Sequence, residues 1–138
     1  MTRAVLDPNV LIAAALAPTG PPADCLRAHA DGRFELIVSE ALLAELTSVL
    51  AREKFRPYLS LAQAERLLAA LRRDAILSAD PREAPPVRSP DPKDGYLLAL
   101  AHRENAQVLV TGDAHLLGLR SPPLRIVTPR DFLSLLHA

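Results

Sequence analysis

The sequence predicts an α/β fold, a three-layer α/β/α domain with a central parallel sheet of four to five strands. Short apolar runs of strand type alternate with longer helical segments along the 138 residues, and this alternation is typical of a parallel sheet with helices on both faces. The apolar runs at 4–6 and 108–110 are each followed by an acid, Asp7 and Asp113. Both acids should therefore lie at the carboxyl edge of the sheet, where open α/β folds bind ligands.

The first half of the chain contains two predicted strands and three predicted helices. Ser39 should cap the third of these helices, whose stripe of Leu and Val residues faces a core. Residues 17–22 form a loop by their proline and glycine content. The predicted elements in order are a strand at 4–6, a helix at 10–16, a short helix at 23–30, a strand at 34–38 and a helix from 40 to about 54.

The second half continues the alternation after a break at 55–58. Ser60 and Gln63 form a capping-box pair, and Thr128 with Asp131 forms another. Residues 80–92 hold five prolines and should form a surface loop. The predicted elements are a helix from 61 to about 75, a short strand at 76–78, a helix from Pro92, strands at 108–110 and 124–127 and a terminal helix from Pro129.

Length and composition predict one domain spanning residues 1–138. Hydrophobic residues make up 49% of the chain and charged residues 23%, which is a globular composition. The longest uncharged stretch, 8–23, contains several prolines and a glycine, so we expect no membrane span. The single cysteine, Cys25, allows no internal disulfide and no cysteine metal cluster. These features indicate a cytoplasmic protein.

The charge balance excludes an extended nucleic-acid platform. The 16 basic and 16 acidic residues give a net charge of zero, and aromatic residues are only 4% of the chain with no tryptophan. Proteins that bind nucleic acid through counterion release are usually basic, and those that stack bases need exposed aromatic rings. Any nucleic-acid activity must therefore depend on a local site.

The candidate site residues are acids, and each has an ordinary alternative explanation. Asp7 could be only a turn or N-cap residue, and Asp91 and Asp94 could only complement the dipole of the helix that follows Pro92. Periodicity does not choose between Glu40 and Glu45, because both lie roughly 100° or slightly more from the centre of their helix stripe. Three or four ionised carboxylates in one place repel each other. Mg²⁺ or Mn²⁺ would remove that cost, since hard cations prefer oxygen ligands and retain several waters.

Four motifs in this order resemble the PIN-domain family. They are D-P-N-V-L-I from Asp7, E-L-T-S-V-L from Glu45, D-P-K-D-G-Y-L-L-A-L-A from Asp91 and V-L-V-T-G-D ending at Asp113. The resemblance extends from Arg3 to about Phe132 and is closest to a bacterial branch described as toxins of toxin–antitoxin pairs, related to the VapC-like toxins. It implies a metal-dependent ribonuclease with an acidic pocket at the carboxyl edge of a parallel sheet.

The resemblance also implies roles for individual residues. It favours Glu45 over Glu40, and Asp94 over Asp91 because Asp94 directly precedes the family's apolar helix pattern. The implied catalytic acids are Asp7, Glu45, Asp94 and Asp113, with Asp7, Asp94 and Asp113 as ligands of Mg²⁺ or Mn²⁺ and Asn9, Thr111 and Asp91 as supporting residues. One departure concerns Pro8, which stands where the family usually has Thr or Ser and removes a hydroxyl and a backbone N–H beside the site.

The expected partners are an RNA substrate, an antitoxin protein and a second copy of the chain in a homodimer. The alternative function is a catalytically inactive PIN-fold module that binds RNA or protein, although such a module should have lost one of the acids. A receiver or Asp-x-Asp phosphatase fits poorly, because Asp7-Pro8-Asn9 supplies neither acid pattern. The simpler explanation of His115 is a solvated side chain. The same holds for the basic group Arg52, Lys54 and Arg56, for which contact with a substrate phosphate is the alternative.

Overall fold

A computed structural model of the chain describes residues 1–82, 85 and 91–137. Five parallel strands form one sheet in the order β3-β2-β1-β4-β5. The strands are β1 (Arg3–Leu6), β2 (Glu35–Ser39), β3 (Ile76–Ser78), β4 (Val108–Val110) and β5 (Arg125–Val127). The helices are α1 (Pro8–Leu16), α2 (Pro21–Ala30), α3 (Glu40–Leu50), α4 (Leu61–Asp74), α5 (Pro92–Arg103), α6 (Ala114–Leu117) and α7 (Pro129–His137). The predicted fold class, a three-layer α/β/α arrangement around a parallel sheet, is confirmed.

The order of the strands reverses between β1 and β4. From β1 the chain adds β2 and β3 on one side, and it then adds β4 and β5 on the other. The crevice at the carboxyl ends of two such neighbouring strands is the usual ligand site of an open α/β sheet. The fold therefore directs attention to the residues that follow β1 and β4.

The core is built from the strands and the helix faces that cover them. The central strands are buried along most of their length, as parallel strands covered on both faces require. Helix α5 packs on β1 and β4, while α1 contacts both α2 and α3. Phe34 and Phe132 meet edge to face, with ring centroids 4.9 Å apart, and attach α7 to the start of β2. No helix in the described part of the chain is long and apolar enough to cross a membrane.

Several predicted boundaries were wrong, and prolines explain two of them. Helices α1 and α2 begin at Pro8 and Pro21, two residues before the predicted starts. Proline fits the first turn of a helix because the N–H groups there have no intrahelical partner. Strands β2 and β5 each begin one residue later than predicted. These shifts leave the predicted order of the elements unchanged.

The end of α3 and the segment after Asp113 also differ from the prediction. Helix α3 ends at Leu50, and Glu53–Phe55 forms a separate 3₁₀ turn. The helix thus ends four residues before the predicted end at 54. The guanidinium of Arg56 donates to the carbonyl of Leu50, which would otherwise lack an intrahelical partner. Helix α6 occupies four residues between β4 and β5 for which the sequence predicts no helix. Of the predicted loop at 80–92, residues 83–84 and 86–90 lie outside the described residues.

Candidate active site

The predicted acids lie around one pocket at the carboxyl edge of the sheet. The pocket has a volume of about 170 Å³. Its lining residues are Asp7, Pro8, Asn9, Glu45, Asp91, Lys93, Asp94, Leu97 and Asp113. The four residues predicted as catalytic and the supporting residues Asn9 and Asp91 are thus brought together from four separate segments of the chain. A larger depression of about 560 Å³ runs along residues 117–127, but no carboxylate lines it.

Asp7 is held between the first turn of α1 and the end of β4. Its side chain is buried, and Oδ1 accepts a hydrogen bond of 3.0 Å from the backbone N–H of Asn9. The hydroxyl of Thr111 donates to Oδ2 at 2.8 Å. The backbone N–H of Asp7 itself donates to the carbonyl of Val110 at 2.9 Å. Asp7 therefore caps α1 and also lines the pocket. A capping role and a role in the site are compatible for this residue.

The same dual role recurs at the other helices that point at the pocket. Asp91 caps α5 by accepting from the N–H of Lys93 at 2.9 Å, and Asp113 caps α6 by accepting from the N–H of His115 at 2.8 Å. The N-terminal ends of α1 and α5 therefore meet at the acidic pocket. The partial positive charge of a helix N-terminus favours nearby carboxylates, which offsets part of their mutual repulsion.

Thr111 connects the two strands at the strand-order reversal. Besides donating to Asp7, its Oγ1 accepts a hydrogen bond of 3.0 Å from the backbone N–H of Asp113. The side chain is fully buried. Because one hydroxyl contacts both acids, the positions of Asp7 and Asp113 are coupled. The structure therefore places Thr111 next to Asp7 and Asp113.

The structure separates Glu45 from Glu40, which periodicity left open. Glu40 lies outside the pocket and makes two hydrogen bonds to the guanidinium of Arg72, at 2.6 and 3.2 Å. The hydrogen bond from Arg72 holds the pKa of Glu40 below its usual value. Glu45 lines the pocket, and its Oε1 lies 3.3 Å from the ammonium of Lys93. Glu40 thus has a structural partner on α4, whereas Glu45 faces the other acids.

Asp94 is the most buried acid of the pocket. Only 2% of it is exposed, compared with 6% for Asp7. It lies in the first turn of α5, where the N-cap Asp91 is exposed to solvent. A carboxylate interacts more strongly with a nearby charge where water is excluded than at an exposed position. A cation in this pocket would therefore stabilise Asp94 more than it would the exposed Asp91.

The donor set of the pocket suits a hard divalent cation. Among the described lining residues, the polar groups are carboxylates, the amide of Asn9 and one ammonium, and none carries sulfur or imidazole. Within the described ranges, no group of three or more His, Cys, Asp or Glu side chains is arranged to hold an ion directly. Mg²⁺ needs only one or two carboxylates because it retains several waters. The residues therefore fit a hydrated Mg²⁺ or Mn²⁺ ion, held by few direct protein ligands.

Other residues singled out in the sequence lie elsewhere. His115 is exposed and borders a neighbouring depression with Asp91, Pro92 and Asp94. The basic residues Arg52, Lys54 and Arg56 do not line the pocket. Arg56 contacts the carbonyls of Leu50 and Arg52, and Lys54 lies over the ring of Phe55 at 5.1 Å. The described contacts of Arg56 and Lys54 are thus local to the end of α3.

Sequence reasoning missed two features of the site. Lys93 is part of the D-P-K-D motif, yet the sequence predicts no role for it, whereas in the structure it lines the pocket and its ammonium contacts Glu45. Tyr96 belongs to the apolar helix pattern that follows Asp94, but its hydroxyl contacts Ser39 and donates to Asp80 at 3.1 Å. The signal for Lys93 was its place between Asp91 and Asp94. No sequence signal could have paired Tyr96 with residues of β2 and of the segment after β3.

The acidic pocket lies at the strand-order reversal of a parallel α/β sheet, where open α/β folds bind ligands. The PIN domain family matches residues 3–115, and this protein belongs to that family. PIN domains are generally nucleases, and these nucleases generally use divalent metal ions. No curated protein matches the chain significantly.

Two solved structures share the fold at low sequence identity. PAE2754 from Pyrobaculum aerophilum superimposes with a TM-score of 0.65 at 19% identity, covering 99% of this chain and 90% of that one. VapBC2 from Rickettsia felis, solved bound to a DNA fragment from its promoter, gives a TM-score of 0.62 at 17% identity, covering 92% of this chain and 98% of that one. At such identities the similarity concerns the fold alone.

Proposed function

We propose that this protein is an Mg²⁺- or Mn²⁺-dependent endoribonuclease and the toxin of a type II toxin–antitoxin pair. The observation that carries the proposal is the meeting of Asp7, Glu45, Asp94 and Asp113 in one pocket of a PIN-family chain. A catalytically inactive binding module would not need all four acids. Their presence therefore favours an enzyme.

The roles follow from burial and contacts. Asp7, Asp94 and Asp113 are the residues that would hold the ion, directly or through its bound waters. Thr111 and the Asn9 N–H orient the Asp7 carboxylate for this purpose. A bound divalent ion supplies an activated water and stabilises charge on a phosphodiester. Glu45, which is one third exposed, is the acid that we assign to accepting a proton from water. The buried position of Asp7 and Asp94 limits access of bulk water to the ligands.

The chain offers a matched pair of variants for testing this function. Glu45→Gln and Glu40→Gln remove the same charge from the same helix, but only Glu45 lines the pocket. We expect Glu45→Gln to reduce RNA cleavage at least about 100-fold, in the range of general acid–base contributions, and Glu40→Gln to leave it unchanged. Equal effects of the two changes would contradict the assignment of Glu45.

Cleavage of RNA and of DNA of the same sequence, in chelator and with each ion added back, tests the metal and the substrate. We expect Mg²⁺ and Mn²⁺ to restore RNA cleavage and Ca²⁺ to restore it poorly, because Ca²⁺ is larger and takes more ligands. Undiminished cleavage in chelator would reject the metal mechanism. Binding of RNA without cleavage under any ion would favour the inactive module.

The proposed partners are an antitoxin and a second copy of this chain. Zero net charge and few aromatic residues leave little general affinity for RNA, so pairing of two chains would pool the basic residues available. An antitoxin could inhibit by placing an arginine against the carboxylates, since a guanidinium can replace the charge of the metal. Sedimentation followed by cleavage assays tests the dimer, and a monomer with full activity at physiological salt would reject it. A short upstream reading frame with a DNA-binding pattern would support the antitoxin.

A further inference from the structure

Lys93 brings a positive charge into the acidic pocket. It lies in the first turn of α5, and its ammonium is 3.3 Å from Oε1 of Glu45. Five carboxylates line this pocket, and among the described lining residues Lys93 is the only one with a cationic side chain. Its charge therefore acts on the same group of acids that would bind a divalent ion.

The helix itself gives no reason for a lysine at this position. Lys93 follows the N-cap Asp91 and Pro92, and a cation in the first turn of a helix interacts unfavourably with the helix dipole. An interaction outside the helix can offset this small unfavourable term. The pocket carboxylates, with Glu45 in direct contact, provide that interaction.

The ion pair is weak enough to open. The side chain of Lys93 is 72% exposed and that of Glu45 is 33% exposed. Exposed pairs of this kind contribute little to stability because water screens them and two long side chains must be ordered. A lysine is also a compact charge on a flexible stem, so its ammonium can move away from Glu45 without any backbone change.

We propose that Lys93 is a built-in counter-ion of the acidic pocket that competes with the divalent cation and so sets the affinity for metal. The inference rests on the proposed function, because it assumes that the pocket binds Mg²⁺ or Mn²⁺. In the metal-free protein the ammonium lies on Glu45 and reduces repulsion among the acids. When an ion enters, the same ammonium becomes a like charge beside it, and Lys93 withdraws towards solvent.

The test is a calorimetric titration of the purified full chain with Mn²⁺ alone, at constant ionic strength. Lys93→Met should bind Mn²⁺ about five- to tenfold more tightly than wild type, as expected for removal of one nearby like charge. Lys93→Arg keeps the charge and should stay within about twofold of wild type. Lys54→Met is the matched control, because it removes the other lysine of the chain, which lies over Phe55 and outside the pocket.

Thermal unfolding gives a second readout that does not depend on activity. In chelator, Lys93→Met should melt slightly below wild type, by roughly 1–2 °C, because the acids lose a weakly held counter-ion. With Mn²⁺ in excess this difference should disappear or reverse. Lys54→Met should show no such dependence on the metal.

The outcomes separate this inference from the proposed function. If wild type binds Mn²⁺ and cleaves RNA but Lys93→Met has unchanged or weaker Mn²⁺ affinity, Lys93 is no competitor and only this inference fails. A raised KM for RNA with unchanged Mn²⁺ affinity would make Lys93 a phosphate contact and would equally overturn it. If neither wild type nor Lys93→Met binds Mn²⁺, the proposed metal site is wrong and the inference fails with it.

Discussion

The hydroxyl of Thr111 donates a hydrogen bond of 2.8 Å to Oδ2 of Asp7, although the two residues are 104 positions apart. The same oxygen of Thr111 accepts from the backbone N–H of Asp113. Both acids follow strands that are neighbours in the sheet, β1 and β4. The hydroxyl therefore fixes the first and last acids of the pocket relative to each other, in a place where water has no access.

Replacement of Thr111 by valine tests this connection. Thr111→Val keeps the shape but leaves the Asp7 oxygen and the Asp113 N–H without their partner, so unfolding should become easier by about 1–3 kcal/mol. RNA cleavage should fall at least about tenfold, because the acids lose their common support. Thr111→Ser keeps the hydroxyl and should recover most of the activity. The measurements are urea unfolding and cleavage rates, and a fully active Thr111→Val protein would contradict the coupling.

Asp7→Asn and Asp94→Asn should abolish cleavage without unfolding the protein. Asparagine caps a helix about as well as aspartate, so Asp7→Asn can still accept from the N–H of Asn9, while its amide NH₂ would donate to the Thr111 hydroxyl that donates to Asp7 in wild type. Each change also removes one charge from a group of mutually repelling carboxylates. In chelator the thermal midpoints should therefore equal or slightly exceed that of wild type, whereas added Mn²⁺ should stabilise wild type more than either variant.

Glu40→Gln is the control for these substitutions, since Glu40 pairs with Arg72 away from the pocket. It should change neither cleavage nor the stabilisation by Mn²⁺. Variants of Asp7 or Asp94 that still cleave RNA, or that melt far below wild type in chelator, would show that these acids serve the fold and not the reaction.

The hydroxyl of Tyr96 connects α5 to the start of α3 and to the segment after β3. It contacts Ser39, which caps α3, and donates to Asp80, whose carboxylate also accepts from the N–H of Ala41 at 3.1 Å. Burial raises the pKa of Tyr96 above its ordinary value, so the hydroxyl stays protonated at neutral pH. Tyr96 is two residues from Asp94, and α3 carries Glu45. The contact therefore connects the helix that carries Asp94 to the N-terminal end of the helix that carries Glu45.

Tyr96→Phe should loosen this arrangement without changing the pocket lining. We expect a loss of about 1 kcal/mol of stability and a lower kcat for RNA cleavage, with KM little changed because no substrate contact is removed. Tyr58→Phe is the matched control, since Tyr58 is 68% exposed. A Tyr96→Phe protein that is less stable but has an unchanged kcat would assign the tyrosine to the fold alone.

The order of the elements could be predicted from the sequence because buried parallel strands and amphipathic helices have distinct apolar patterns. The boundaries of the helices were less predictable where proline occurs, because proline is common both in loops and at the first position of a helix. Pro8 and Pro21 are compatible with a loop and with the first turn of a helix. In the structure each of them begins a helix. Strand order was not predictable, because nothing in the local pattern of β4 says that it pairs with β1.

The acids could be placed at one edge of the sheet because Asp7 and Asp113 follow strands. Periodicity could not separate Glu45 from Glu40, since the decision depends on Arg72 of α4, which is distant in the sequence and pairs with Glu40. Pro8 was identified as a departure that removes an N–H. In the structure it is the first residue of α1, where that N–H has no intrahelical partner, so the helix loses nothing by the change.

The buried thiol of Cys25 should make the stability of the protein depend on pH in alkaline solution. Cys25 is fully buried, and its thiol donates a hydrogen bond to the carbonyl of Pro129, with Sγ and the oxygen 3.6 Å apart. Burial, with a smaller contribution from Asp24, raises the pKa of this thiol from 9.0 to about 11. Because the folded pKa exceeds the unfolded one, the folded state holds the proton more tightly. Its contribution to stability is complete below pH 9 and is lost as pH rises towards 11.

The expected loss from this thiol alone is about 1 kcal/mol between pH 8 and pH 10. Urea unfolding of wild type and Cys25→Ala at both pH values isolates the loss of stability that is due to Cys25. The other groups that titrate in this range are common to both proteins. The alanine variant should be less stable at pH 8, owing to the cavity that it leaves, but should lose less stability at pH 10. Equal losses in the two proteins would mean that the thiol titrates normally in the folded state, and that α2 and α7 admit water around Cys25.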